Sequence, residues 1–154
     1  MIDEVYIKWD DKLIINEACD RIWSDMRDYR LLIEIIWPHV KPIWHKGGPN
    51  EIDATVRFVI ENYTIDEHII ILNNDAMYLS FVLTQGFELF ITYRGEWYVK
   101  RIDGEDDKCE FHKGSIAIRN ESSPWTNYEY KQTVKEELRT VKRYYEDKKS
   151  KPEL

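Results

Sequence analysis

The stretch "TIDEHIIILNNDAMYLSFVLTQG", residues 64–86, decides how the chain folds. Two runs of β-branched and aromatic residues flank Asn73-Asn74-Asp75, an Asx-rich break of hairpin length, and Gly86 closes the second run. The first run carries Glu67 in phase with Ile69 and Ile71, so a carboxylate points along what reads as the apolar face. Either that face meets solvent, or it lines a space that needs a polar contact.

Working outward, the same hairpin chemistry recurs. "IDATVRFVIE" turns at Glu61-Asn62 into the quoted stretch; beyond it, "ELFITYRGEWYVKRI" ends in "DGEDD" and "KCEFHKGSIAIR" follows. These spacings predict successive antiparallel neighbours. Upstream, "VYIKWDDKLII" alternates with Val5, Ile7, Trp9, Leu13 and Ile15 on one side, a strand with one buried face. Asn16 can cap a short helix whose Ala18, Ile22, Trp23 and Met26 share a side; "YRLLIEIIW" is a second, stopped by Pro38. "VKPIWHKGGPN" reads as a short edge strand and a glycine turn. After "NESSP", Tyr130, Val134, Leu138, Val141 and Tyr145 recur at helical spacing, with Thr126 and Glu129 as a capping box and charges covering the other sides. The order predicts an α+β fold: a coiled antiparallel sheet of about seven strands, two short helices after the first, and a long C-terminal helix laid in the concave face. One domain is expected over residues 1–149, followed by a frayed polar tail over 150–154.

Composition bounds the partners. The net charge of −7 argues against nucleic acid as the main partner, because phosphate neutralisation needs a concentrated basic surface. No apolar run reaches the length of a membrane span, and the first residues lack the pattern of a signal peptide, so a cytoplasmic protein without membrane insertion is expected. Cys19 and Cys109 read as two reduced thiols rather than a disulfide. His39, His45 and His68 show no metal-ligand spacing, which predicts no metal site and no cofactor; "HKGGPN" lacks the context of a phosphate loop. Oligomeric state is not readable.

Three segments carry a likeness to a known superfamily. "INEACDRIWSDMRD" is similar to a strand end and helix with a characteristic aliphatic–tryptophan pair, here Ile22-Trp23; "EHIIILNND" resembles a Glu-plus-apolar strand ending in an acidic turn; "FELFITYRGEWYVKRIDGEDDKCEF" resembles paired strands joined by an acidic-glycine turn. Together they resemble the START-related superfamily of birch-pollen-allergen proteins, polyketide cyclases and plant hormone receptors, over essentially the whole chain. That likeness implies the helix-grip fold, with a cavity between sheet and terminal helix, and leaves activity open because chemistry varies by branch. It implies that Glu67, Tyr93 and, more loosely, Lys41 face the cavity. Leu79 stands where the Pictet–Spengler branch has a catalytic lysine, and "FVIENY" replaces the gate of the hormone receptors, so neither of those activities is implied.

Two uses of such a cavity follow. One is binding of a bulky apolar or aromatic small molecule, with Lys41, Trp44, Ile69, Ile71, Phe81, Leu83, Ile91, Trp97, Val134 and Leu138 as walls. The other is a cyclase or dehydratase in which Glu67 or His112 moves protons while Tyr93 hydrogen-bonds an enolate oxygen. Glu67 could instead form an ion pair with Arg57 or Lys41, or sit at a wet mouth. An interaction protein with a filled cavity is the third reading. No nucleophile constellation is present.

Overall fold

The computed structural model describes residues 5–150, with side chains through residue 147. Ten elements follow in the predicted order: β1 (Tyr6–Ile15), α1 (Cys19–Met26), α2 (Tyr29–Ile36), β2 (Ile43–Lys46), β3 (Thr55–Ile60), β4 (Tyr63–Asn73), β5 (Tyr78–Gln85), β6 (Phe90–Ile102), β7 (Glu105–Arg119) and α3 (Asn127–Ser150). The seven strands form one antiparallel curved sheet in the order β1-β7-β6-β5-β4-β3-β2. Every neighbour is the next strand in sequence except β1, which crosses to pair with β7 through Tyr6↔Ile118 to Ile15↔Cys109. Residues 151–154 of the expected polar tail lie outside the described residues.

The alternating strands turn one face inward, and the helices cover it. From α3, Tyr130, Val134, Leu138, Val141 and Tyr145 are all buried, so the stripe read from spacing is the face that docks. Its start is held by Thr126, whose hydroxyl accepts from the Glu129 backbone N–H at 3.1 Å and donates to the Glu129 carboxylate at 3.2 Å. Helix α2 begins where the Asp28 carboxylate accepts from the Leu31 N–H and ends at Ile36, two residues before Pro38. The Asn16 cap is not used: Ala18 is the residue at the start of α1.

The cysteines correct the expectation. Cys19, at the head of α1, is bonded to Cys109 of β7 across 90 residues of sequence, and both are buried. Ile15 is the register partner of Cys109, so the short turn after β1 brings position 19 back over it. A structural disulfide is chemistry of oxidising compartments, so the cysteines no longer support the cytoplasmic expectation. Among the described residues, no helix is long and apolar enough to cross a membrane.

Two interruptions of strand pairing redirect side chains. In β4 the register shifts between Ile69 and Ile71; Leu72 takes the inner place opposite Leu79 and Ile71 turns outward, 38% exposed. In β6 it shifts between Phe90 and Thr92, so Phe90 and Tyr93 share the inner face and Ile91 is 54% exposed. Each is an extra residue in one strand that reverses parity beyond it.

Candidate functional site

Between sheet and helices lies a hollow of about 70 Å³, with a wall contributed by α2, β3 to β7 and α3. Most of its lining is buried and apolar; Trp37, Ile60, Trp125 and Thr133 are half-buried and mark its mouth. Tyr29, Glu67, Lys113 and Glu137 stand among the apolar residues, with the hydroxyls of Tyr93, Tyr130 and Thr133 also in the lining.

Glu67 is buried, as its parity with Ile69 predicts, and its partner is neither Arg57 nor Lys41. The Tyr29 hydroxyl donates to Glu67 Oε1 at 2.9 Å. Arg57 instead pairs with neighbouring Asp66, through Nε and Nη2 at 2.7 and 2.8 Å. Burial raises the Glu67 carboxyl to about 7, against the opposing pull of the Lys113 charge and the Tyr29 hydrogen bond. The Tyr29 phenol is pushed well up by burial and by the carboxylate it faces. The carboxyl is therefore poised to hold or release a proton near neutrality.

The second polar pair is Lys113 of β7 and Glu137 of α3, with Nζ 3.4 Å from Oε1 and both side chains at 10% exposure or less. The Trp37 indole N–H donates to the other oxygen of Glu137 at 3.2 Å. The Lys113 ammonium also lies over the Trp97 ring, 4.3 Å from its centre. Burial depresses its pKa, but the negative charge of Glu137, with Tyr130 and Glu67, outweighs that and keeps the lysine charged.

Tyr93 lines the hollow, but its hydroxyl is committed to Ser115 at 3.1 Å and to a short contact with Tyr130. Burial raises its pKa, so it stays a neutral phenol. Tyr29 occupies the position of the cavity phenol facing a carboxylate. Beneath these rings, Phe81 stacks between Tyr29 and Tyr93, with centroids 5.2 and 5.7 Å away. Phe81 has room because its register partner is Gly95, where a Cβ would lie 2.3 Å from the ring.

The other expected site residues divide. Leu83 and Trp97 line the hollow; Ile69, Phe81, Val134 and Leu138 are buried behind it as core. Trp44 is half-buried against the core outside the lining, and Ile71 and Ile91 face away for the reasons given above. Lys41 is exposed, in a left-handed turn with φ 48°, and takes no part. His112 lies on the opposite face of the sheet from Lys113, stacked on Tyr98 and bonded to Glu110 at 2.5 Å, so it cannot reach the hollow. Burial lowers its pKa, with Glu110 opposing.

Lys113, Glu137 and Tyr29 are the residues that sequence reading missed. The first two carried a signal. Lys113 shares parity with Cys109, Phe111 and Ala117, all buried, and Glu137 falls seven residues after Tyr130 within the docking stripe.

No protein-family model matches the sequence, and no match is found among curated proteins. Solved structures do match. Ginseng major latex-like protein 151 from Panax ginseng superposes with a TM-score of 0.72 at 15% identity, covering 92% of this chain and 98% of that one. The protein XoxI from Bacillus cereus gives 0.74 at 13% identity, with 92% and 97% covered. The Zhui aromatase/cyclase from Streptomyces sp. R1128 gives 0.74 at 13% identity, with 92% and 94% covered. These likenesses establish the helix-grip fold shared by START-related and birch-pollen-allergen-like proteins.

Proposed function

We propose that the chain binds a small organic molecule through the hollow between sheet and α3, with the polar groups holding its head and the aromatic mouth holding its body. The observation that carries this reading is the buried ionisable cluster of Glu67, Tyr29, Lys113 and Glu137 around the hollow. Burying these ionisable side chains opposes stability, and packed apolar residues would serve a purely structural core better.

The size of the hollow narrows the expectation of a bulky ligand. At about 70 Å³ the hollow is several-fold smaller than the roughly 300–1,000 Å³ of sites enclosing a drug-sized molecule, so it suits a small polar head better than a bulky body. A larger body must lie among Trp37, Ile60, Leu89 and Trp125, or part α2 from α3 there. Native mass spectrometry of protein purified from its own host tests the reading. A bound species of defined mass, lost on denaturation and lost when Thr133→Trp blocks the mouth, is expected. Bare protein, with no thermal stabilisation by any aromatic ligand in a screen, refutes it.

A second reading, proton-transfer catalysis of the cyclase or dehydratase type, is favoured by the near-neutral carboxyl of Glu67. In it Glu67 moves the proton, Tyr29 orients the carboxyl and Lys113 stabilises developing negative charge. Turnover abolished in Glu67→Gln with ligand affinity held within about tenfold separates this reading from binding alone.

A further inference from the structure

One polar atom of the hollow is unaccounted for. The Trp97 side chain is 1% exposed, lines the cavity, and its indole Nε1–H has no hydrogen-bond acceptor. It sits close enough to the Tyr29 hydroxyl to oppose the rise of that phenol's pKa, without reaching hydrogen-bond geometry. Buried indole N–H groups ordinarily find a partner, and leaving one without an acceptor opposes folding. The other unpartnered indole, Trp9, does not line the cavity and lies beneath Lys131 and Lys135 of α3.

The charges around this donor select what it can receive. Lys113 contributes one positive charge and already faces Glu137 at 3.4 Å, while Glu67 adds a second carboxyl. The net charge of the chamber is thus zero or negative. A carboxylate head would enter beside two carboxyl groups, and an ammonium head would meet the Lys113 charge and bring no acceptor for the Trp97 N–H. A neutral oxygen acceptor avoids both conflicts.

We propose that the ligand of this cavity carries a neutral carbonyl group, a ketone or its equivalent, whose oxygen accepts a hydrogen bond from Trp97 Nε1–H beside the Glu67–Tyr29 pair. This assignment rests on the binding function proposed above and names the chemical class that the site takes. The Lys113 ammonium, on the face of the same indole, polarises the N–H and strengthens the donor. The carbonyl needs only a few atoms of space, which matches the chamber; the remainder of the molecule meets the apolar mouth.

Three probes of one size and different head chemistry test it: acetophenone, benzoate and benzylamine. Each is titrated into the ¹⁵N-labelled protein while the indole N–H resonances are followed, that of Trp97 being assigned from triple-resonance spectra of the unmodified protein. Acetophenone should bind with a Kd of roughly 1 mM or tighter and move the Trp97 resonance downfield. Benzoate and benzylamine should bind at least about tenfold more weakly, and Trp97→Phe should weaken acetophenone about three- to tenfold. Should Trp97→Phe not fold, the resonance shift in the unmodified protein decides. Tighter binding of benzoate or benzylamine overturns the assignment. So does acetophenone binding with the Trp97 resonance unmoved, or no acetophenone binding at about 10 mM. Binding by the cavity as such is refuted separately, by the bare mass of host-purified protein.

Discussion

Replacing Glu67 by Gln isolates the energetic consequence of burying this carboxyl. In the folded protein the group titrates near 7, against an ordinary 4.5. Below pH 4.5 it is protonated in folded and unfolded chains alike, and its contribution to stability is fully present. As pH rises from 4.5 to 7 the unfolded chain releases the proton while the folded chain keeps it, so stability falls until the folded carboxyl ionises too. The whole loss is about 3 kcal/mol at 1.36 kcal/mol per pK unit, of which about 2–3 kcal/mol develops between pH 5 and pH 8. Gln keeps the shape and an acceptor for the Tyr29 hydroxyl but cannot titrate. Urea unfolding of both proteins at pH 5, 6, 7 and 8 measures the difference. The stability of Glu67→Gln relative to the unmodified protein should improve by about 2–3 kcal/mol across that range, a shift of about 1 M in midpoint. A difference that stays constant with pH to within about 0.5 kcal/mol would show that Glu67 is solvated, and the account of the cavity would fall with it.

Three further outcomes are expected. Lys113→Met removes the positive charge that holds Glu67 down, so the Glu67 carboxyl should titrate above 7 by ¹³C NMR, and the loss of Glu137's partner should cost about 3–5 kcal/mol at neutral pH; an unchanged titration contradicts the assigned electrostatics. Gly95→Ala, which elsewhere in a strand would stabilise, should here cost about 1–3 kcal/mol by driving Phe81 from its place between Tyr29 and Tyr93; a more stable variant in thermal melts refutes the packing argument. Reducing Cys19–Cys109 should lower stability by about 4–5 kcal/mol for a 90-residue loop, or roughly 10–15 °C in Tm, and thiol reagent should find no free thiol in denatured, unreduced protein.

The architecture was legible because most elements had one unambiguous face. In α3 the spacing Tyr130-Val134-Leu138-Val141-Tyr145 has no rival, and Glu67 shares both parity and burial with Ile69. The site was legible only in part, for three physical reasons. Parity carries no information across a bulge, so Ile71 and Ile91 were assigned inward when one extra residue had already turned them out. In β7 both faces hold apolar residues: Phe111 and Ala117 on one, Ile116 and Ile118 on the other. The wrong choice there put His112 in the cavity and hid Lys113. Partners far apart in sequence leave no local trace. The Cys19–Cys109 bond spans 90 residues and the Tyr29–Glu67 hydrogen bond 38, and neither spacing distinguishes contact from coincidence.

The Cys19–Cys109 bond also governs how the molecule can breathe. It rivets the head of α1 to the longest strand of the sheet, next to the β1–β7 seam, and makes that end an anchorage. The far end, where Trp37 follows α2 and Trp125 precedes α3, has no covalent tie: Trp37 is held to α3 by its indole bond to Glu137, and Trp125 meets Phe90 of β6 edge-on. Under the proposed binding function, a guest larger than a carbonyl would be admitted there, like a book opened against its spine.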